Sequence, residues 1–323
     1  MKKFAHFNAG SLDEAVTLLK RYGGRRASLI AGGTDLLGQM KDRFLPTYPE
    51  ALINLKTVPG LDFIQVKEGR LEIGALTRLE DIAFSEPVKA GWPALAQAAH
   101  KTASPHLREM GTLGGNLSQD IRCWFYRQPN NRFPCLRKGG GRCYALEGDN
   151  RYHSIFGGSV EEGCVAVHPS DTAPALIALG AEVVTTKRTI RAEDLFSVGV
   201  SQTTVLDQDE IISKISLPEA EGKSAFIKFA LRQSIDFAIV NCAAMVSTNG
   251  GKVEGTRVCL NAVYVRPYRA RRAEEVMAGQ TLDKRSAAAA GEAVAAEARP
   301  LKNNAYMVPI ARTLVKRSLL NCV

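Results

Sequence analysis

The apolar positions of this chain follow two rhythms. Short unbroken runs of strand length alternate with stretches in which apolar residues recur every three or four positions, the period of a helix with one buried face. Ser11-Leu12-Asp13-Glu14 is a capping box, and the helix it opens carries Leu12, Ala15, Val16, Leu18 and Leu19 before stopping at Gly23-Gly24. Ser28 to Ala31 reads as a short buried strand, followed by Gly32-Gly33 and a helix through Met40. Leu52-Ile53-Asn54-Leu55 is another strand, and this first α/β unit ends near Pro59-Gly60. Leu61 to Val66 and Leu71 to Ile73 form a hairpin around Lys67-Glu68-Gly69-Arg70. Thr77-Arg78-Leu79-Glu80 predicts a second capping box, and helical text then runs to about Thr102 with breaks at Pro87 and Pro93. Val165-Ala166-Val167 resumes strand character. Asp171 to Leu179 predicts a short helix, then Glu182 to Thr186 and Thr189-Ile190 a hairpin. Glu210 to Ile212 and Lys214 to Leu217 precede Pro218, and Glu219 to Lys223 reads as a linker. Beyond it, Ala225 to Ala230, Ala238 to Thr248 and Thr256 to Val265 predict three strands. Ala270 to Met277, Ala287 to Ala298 and Val308 to Leu320 predict helices. The fold class is α+β, in units 1–60, 61–218 and 224–323, the last a three-stranded sheet with helices.

Composition narrows the function classes. The chain has 323 residues, 45% hydrophobic and 23% charged, which supports two or three cored domains. No apolar run reaches the roughly 18 residues of a membrane span, and Met1 to Phe7 holds no signal-like apolar stretch. The expectation is a cytoplasmic protein that does not enter a membrane. The net charge is +9, but basic residues are scattered and no nucleic-acid motif accompanies them, so nucleic acid is not expected as a partner. A basic face suits an acidic protein partner instead.

Two glycine clusters carry the first candidate chemistry. Gly32-Gly33 sits between a strand and a helix start, with Thr34 or Asp35 placed to cap that helix. Such a turn presents free N–H groups that suit a phosphate. Alone it is an ordinary tight turn. A second cluster, Gly111-Thr112-Leu113-Gly114-Gly115-Asn116, makes a two-sided grip on one pyrophosphate the expectation.

Of seven cysteines, Cys123, Cys135, Cys143 and Cys164 crowd into one stretch, while Cys242, Cys259 and Cys322 read as plain buried or terminal thiols. The stretch 120–164 has few apolar periods and much Gly, Asn and Arg. It is read as a long functional loop with little core of its own. In a cytoplasmic chain these thiols are reduced or bind metal.

The ordered set Ala31-Gly32-Gly33-Thr34-Asp35, Gly111 to Asn116, Pro169-Ser170-Asp171 and Phe226-Ile227-Lys228-Phe229, with Arg232 and Asp236-Phe237-Ala238 after it, resembles the FAD-binding subunit of molybdenum hydroxylases, the xanthine dehydrogenase and carbon monoxide dehydrogenase family. The resemblance covers nearly the whole chain. It implies a two-part FAD-binding domain of the vanillyl-alcohol-oxidase type, subdomains 1–60 and 61–218, before the C-terminal α+β domain. It also implies FAD contacts from Ala31, Gly32, Gly33, Thr34, Asp35 and Leu36, and from Gly111, Thr112, Gly114, Gly115 and Asn116. Asp171, Ile212 and Lys228 would lie near the flavin moiety. On the residues alone, Asp171 is equally a helix N-cap and Lys228 a solvated strand residue.

The cysteine stretch departs from ordinary members. It is similar to the insertion in the β subunit of 4-hydroxybenzoyl-CoA reductase, which carries an extra 4Fe-4S cluster. The segment from Cys143 to Cys164, with Asn150-Arg151-Tyr152-His153, is also similar to the flavin subunit of cluster-bearing bacterial aldehyde oxidoreductases. Four thiolates are the ligand set a 4Fe-4S cluster needs. A zinc site lacks its usual C-x-x-C pair here, and free thiols are the remaining reading. The resemblance implies an electron-transfer subunit, with no catalytic residue of its own, in a hetero-oligomer. Its partners would be a molybdopterin-binding catalytic subunit, a 2Fe-2S subunit and ferredoxin as electron donor. The expected reaction is reductive dehydroxylation of 4-hydroxybenzoyl-CoA. The alternatives are an oxidative enzyme of the aldehyde oxidoreductase or xanthine dehydrogenase type, or a stand-alone flavin module. Arg122, Arg127, Arg132, Arg137, Lys138 and Arg142 are expected to tune the cluster and to receive an acidic donor.

Overall fold

Three sheets follow one another along the chain. The computed structural model describes residues 1–23, 26–45, 47–157, 163–200 and 202–323. The first sheet is parallel, with β1 (Ala5–Asn8), β2 (Ala27–Ile30) and β3 (Ala51–Asn54) in the order β1-β3-β2. Its crossovers contain α1 (Leu12–Tyr22) and α2 (Leu36–Asp42). Ala15, Leu18 and Leu19 of α1 pack on Ala27, Ala51 and Ile53. The Ser11 hydroxyl caps α1 by accepting from the Glu14 N–H at 3.1 Å. The Glu14 carboxylate, though, takes the N–H of Gly10 instead of Ser11. The helix stops at Gly23 in the left-handed region, and the second half of its expected stop signal, Gly24, lies outside the described residues.

The second sheet is antiparallel. It comprises β4 (Ile64–Lys67), β5 (Arg70–Gly74), β6 (Glu182–Thr185), β7 (Thr189–Arg191) and β8 (Ile212–Leu217), in the order β4-β5-β8-β6-β7. Between β5 and β6 the chain makes α3 (Leu79–Phe84), α4 (Glu86–Gly91), α5 (Pro93–Lys101), α6 (Pro105–Arg108), α7 (Leu113–Ser118), α8 (Tyr144–Glu147) and α9 (Thr172–Ala178). Pro87 and Pro93 stand in first turns, where a missing N–H costs nothing. The second capping box does not form. Thr77 is buried and its hydroxyl bonds both N–H and C=O of Phe63, while Glu80 pairs with Arg108 at 2.5 Å. The expected strand at Val165 to Val167 makes only one isolated bridge, from Val167 to Arg122.

The C-terminal sheet has four strands where three were expected: β9 (Lys223–Phe229), β10 (Val240–Asn249), β11 (Lys252–Asn261) and β12 (Tyr268–Arg269), in the order β12-β11-β10-β9. The fourth has two residues and follows Pro267, too short to show a period. The strands alternate from Val240 to Val246 and over Val258 to Leu260, with a register shift between Ser247 and Thr248. Cys242, Ala244, Val258 and Leu260 face α10 (Arg271–Met277), α11 (Lys284–Ala296) and α12 (Met307–Leu320). Ala243 and Cys259 face the core shared with α5, α9 and the second sheet. The sheet is thus covered on both sides, and Cys242, Cys259 and Cys322 are buried thiols. Among the described residues no helix is long and apolar enough to cross a membrane.

Candidate functional site: a glycine-walled cavity beside a ring of thiols

β2 delivers Gly32-Gly33-Thr34-Asp35 to the edge of the first sheet, where they meet the segment before α7. A Cβ on Gly32 would lie 1.9 Å from the Met110 carbonyl oxygen, so only glycine lets the two segments touch. Gly33 has φ +72°, a region that glycine occupies without strain. Along this seam opens a cavity of about 640 Å³, within the range of small-molecule and cofactor sites. Ala31, Gly32, Gly33, Thr34, Asp35, Leu36, Gly111, Thr112, Gly114, Gly115, Asn116, Asp171, Ile212 and Lys228 all line it.

The two glycine clusters do different work. Among the described residues, the N–H groups of Gly32, Gly33, Thr34 and Asp35 donate to no protein acceptor. In the second cluster most donors are taken: Gly111 by Leu107 O, Leu113 by Thr77 O, Gly114 by Ala75 O, Gly115 by the Thr112 hydroxyl and Asn116 by Thr112 O, while among the described residues the Thr112 N–H donates to no protein acceptor. The free donors are therefore uneven, four in the first turn and Thr112 in the second. The first turn offers N–H groups, and the second packs the cavity wall.

The polar residues of the wall are tied into the protein. Asp35 makes no helix cap. Its carboxylate accepts from Gln39 Nε2 (2.8 Å) and from the Asp120 N–H (3.0 Å), and pairs with Arg122 (3.1 Å) and Arg127 (2.9 Å). Burial raises its pKa, but the two guanidiniums and the hydrogen bonds outweigh that and hold it at about 2. Asn116 Oδ1 accepts from the hydroxyls of Ser170 (2.5 Å) and Thr172 (2.7 Å). Asp171, at the N-terminus of α9 without capping it, pairs with Lys228 at 2.7 Å and accepts from Asn241 Nδ2 at 2.6 Å. Both partners of that pair are buried, so Lys228 is no solvated strand residue. Burial pushes the Asp171 carboxyl up, against the pull of Lys228 and Asn241.

Beside the first cavity lies a smaller one lined by Cys123, Cys135, Cys143 and Cys164. The fold thus brings together the four cysteines of the loop. Among the described residues no group of three or more His, Cys, Asp or Glu side chains is set to hold a single metal ion. The four thiols line a space of only about 20 Å³. Burial pushes the Cys123, Cys135 and Cys164 thiols up, Cys123 to about 12. His153 Nε2 stands 3.2 Å from Cys123 Sγ, and burial lowers this imidazole to about 4, so it is neutral near pH 7. The Lys138 ammonium is buried with no hydrogen-bond partner, over the rings of Phe44 and Tyr126. An anionic group held by the thiols would give it a counter-ion, which is the fit expected of a thiolate-bound cluster.

Two expectations about this loop change, with the reservation that 158–162 of it lie outside the described residues. The loop has a core: Ile121, Tyr126, Cys135, Cys164 and Ala166 are buried with Phe44 and Val265. Its cations mostly do not face outward. Arg122 and Arg127 are consumed by Asp35, Arg137 and Lys138 are half-buried, and Arg132 and Arg142 are exposed. Sequence reasoning also missed wall residues. Tyr126 and Arg137 line both cavities. Ile235 and Phe237 close the flank of the larger one, Ile235 at φ +68°, which is rare for a β-branched residue. Phe237 lies in the Asp236-Phe237-Ala238 motif and Arg137 among the basic residues expected near the thiols, but nothing local in the sequence marks Tyr126 or Ile235.

Comparison with known proteins agrees with this geometry. A family model described as FAD binding domain in molybdopterin dehydrogenase matches residues 2–220. One described as CO dehydrogenase flavoprotein C-terminal domain matches residues 225–322. The chain is 33% identical to the aldehyde oxidoreductase FAD-binding subunit PaoB of Escherichia coli (strain K12), over 97% of this chain and 96% of that one. It is 29% identical to the carbon monoxide dehydrogenase medium chain of Hydrogenophaga pseudoflava, over 98% and 96%. A solved structure of carbon monoxide dehydrogenase from Hydrogenophaga pseudoflava, lacking the Mo-pyranopterin moiety, superposes with TM-score 0.78 at 28% identity, over 99% of this chain and 97% of that one. The chain belongs to the FAD-binding subunits of the molybdenum hydroxylase family, of the carbon monoxide dehydrogenase medium-chain type.

Proposed function

We propose that this protein is the FAD- and 4Fe-4S-binding electron-transfer subunit of an aldehyde-oxidising molybdenum enzyme. The observation that carries the reading is the adjacency of the glycine-walled cavity to a ring of four thiols, with Tyr126 and Arg137 as the shared wall. The 33% identity to an aldehyde oxidoreductase FAD-binding subunit supports the substrate class. When bound, FAD and the cluster supply electron exchange; this chain's residues hold them and set their surroundings. The free N–H groups of Gly32 to Asp35 would take the FAD pyrophosphate, and Asp171, Ile212 and Lys228 would flank the flavin. Cys123, Cys135, Cys143 and Cys164 would hold the cluster. Four thiolates are the ligand set of a 4Fe-4S cluster, and the C-x-x-C pair usual in zinc modules is missing among these cysteines.

The aldehyde would react on a molybdopterin-binding partner chain, with a 2Fe-2S subunit between that chain and the flavin. The cluster, near the exposed Arg132 and Arg142, would exchange electrons with an acidic ferredoxin. Reductive dehydroxylation of 4-hydroxybenzoyl-CoA with ferredoxin as donor is the lesser reading, because the relatives named above are an aldehyde oxidoreductase subunit and a carbon monoxide dehydrogenase chain.

The test is the protein purified anaerobically with whatever chains accompany it. One FAD and about four irons with sulfide per flavin chain are expected, with iron lost on Cys→Ser replacement at any of the four positions. Aldehyde-dependent dye reduction should far exceed ferredoxin-dependent reduction of 4-hydroxybenzoyl-CoA. Zinc in place of iron, or loop thiols that alkylate freely, would sink the cluster. A single chain active without partners would sink the subunit reading.

A further inference from the structure

We infer that Arg137 couples the two redox sites electrostatically, raising the reduction potential of both the flavin and the thiolate-bound cluster from its place in the wall between them. The inference rests on the cluster reading above. Arg137 sits two residues after Cys135 in the short turn Leu136–Lys138 and lines both cavities. Its Nη1 stands 4.0 Å from Cys164 Sγ and donates to Gly199 O at 3.2 Å. Nη2 donates to Gln202 O at 3.2 Å and to the Thr203 hydroxyl at 3.4 Å. The head is thus fixed by neutral oxygens, and among the described residues no carboxylate pairs with it. Arg122 and Arg127 differ in that both pair directly with the Asp35 carboxylate, whose single charge offsets one of theirs. Arg137 therefore carries its positive charge in a partly buried wall with no direct ion pair, the nearest carboxylate in this network, Asp120, being reached only through the Thr203 hydroxyl.

Reduction adds negative charge to either site. A fixed cation in a medium of low dielectric favours the more negative state, so it raises the potential. A cation in a shared wall acts on both sites with the same sign. Lys138, the next residue, supplies an internal control. Its ammonium is buried over Tyr126 and Phe44 and interacts with Cys123 and Cys135, but it does not line the larger cavity. Its charge is coupled to Cys135 and Cys123, so it should act more on the thiol site than on the larger cavity.

The experiment is a redox titration of the complete complex, following flavin absorbance and the cluster's EPR signal, in the wild type, R137Q, R137K and K138M. R137Q is expected to lower both midpoint potentials, R137K to keep both near wild type, and K138M to lower the cluster's more than the flavin's. The inference is overturned if R137Q moves neither potential or only one, or if R137K falls as far as R137Q, which would assign the effect to hydrogen bonds instead of charge. Loss of iron or flavin from R137Q also overturns it, since that is the behaviour of a mere strut. Wild-type protein without iron would sink the cluster reading itself, and that result appears before any substitution is made.

Discussion

At Asp35 the side chain has a different job from the backbone it hangs on. The N–H faces the cavity, while the carboxylate ties the glycine turn to Asp120, Arg122 and Arg127 at the root of the cysteine loop. Asp35→Asn leaves two buried guanidiniums short of their counter-charge, a change that costs on the order of 2 kcal/mol by the shift of its carboxyl from 3.8 to about 2. Flavin-free protein should lose the same thermal stability as loaded protein, which a pure cofactor contact would not show. The pH dependence follows from the depressed pKa. With the folded carboxyl at about 2, below its ordinary 3.8, the stabilisation is fully present above the unfolded value and is lost as pH falls through about 2. The melting-temperature gap between wild type and D35N should therefore be constant near neutrality and close between pH 4 and pH 2. A gap that persists at pH 2 would refute the assignment. Lys228 makes a parallel case with the opposite sign of shift. Lys228→Met strands Asp171 in a buried site, where burial already pushes its carboxyl up. It should cost a few kcal/mol, and adding Asp171→Leu should recover most of that loss in calorimetry. Failure of the double variant to recover would show that Asp171 matters through Asn241 instead.

The glycine clusters looked equivalent in sequence and are unequal as elements, which can be measured. Gly32→Ala drives a Cβ into the Met110 carbonyl, a backbone atom that cannot swing away, so folding itself should suffer. Gly115→Ala meets only the Thr112 hydroxyl at 2.9 Å, the end of a side chain that can turn. G115A should fold and keep most of its flavin, and G33A should lose stability by roughly 1–2 kcal/mol for its left-handed backbone. Flavin absorbance per chain, read against a thermal melt, separates these outcomes; equal flavin loss in G33A and G115A would restore the symmetric picture. The same contrast shows what the sequence could reveal. Periodicity marks α1, the β4–β5 hairpin and the long C-terminal helices, because local burial patterns decide them. The capping box at Thr77 fails because its hydroxyl finds Phe63, a partner 14 residues away that no local pattern announces. β12 escapes because two residues have no period. The candidate residues that meet at one cavity come from the Gly32-Gly33 turn, the starts of α2, α7 and α9, and strands β8 and β9. Tyr126 stays invisible, and Arg137, expected only beside the thiols, is not foreseen in the flavin cavity, because a wall between two cavities is a tertiary fact.

At the scale of the whole molecule the cysteine loop is held from both ends of the chain. Its buried cluster joins Phe44 from the first unit and Val265 from the last to Ile121, Tyr126, Cys135, Cys164 and Ala166. Burying a side chain such as Phe44 contributes about 1.5–3 kcal/mol, so several together offset part of the entropy lost in ordering the loop. A bound cluster is then not the loop's sole support, and the other apolar cores contain none of these four cysteines. Removing iron with a chelator under anaerobic conditions should leave FAD bound and the main thermal transition close to its original temperature. Hydrogen exchange should rise in the loop segments around the thiols and not in β2, α7 or β10. Phe44→Ala, by contrast, should cost about 3–5 kcal/mol of local packing and speed iron loss, although Phe44 touches no metal. Release of flavin together with iron, or exchange that spreads into the parallel sheet, would mean that the cluster and not the apolar contacts holds the loop against the flavin cavity.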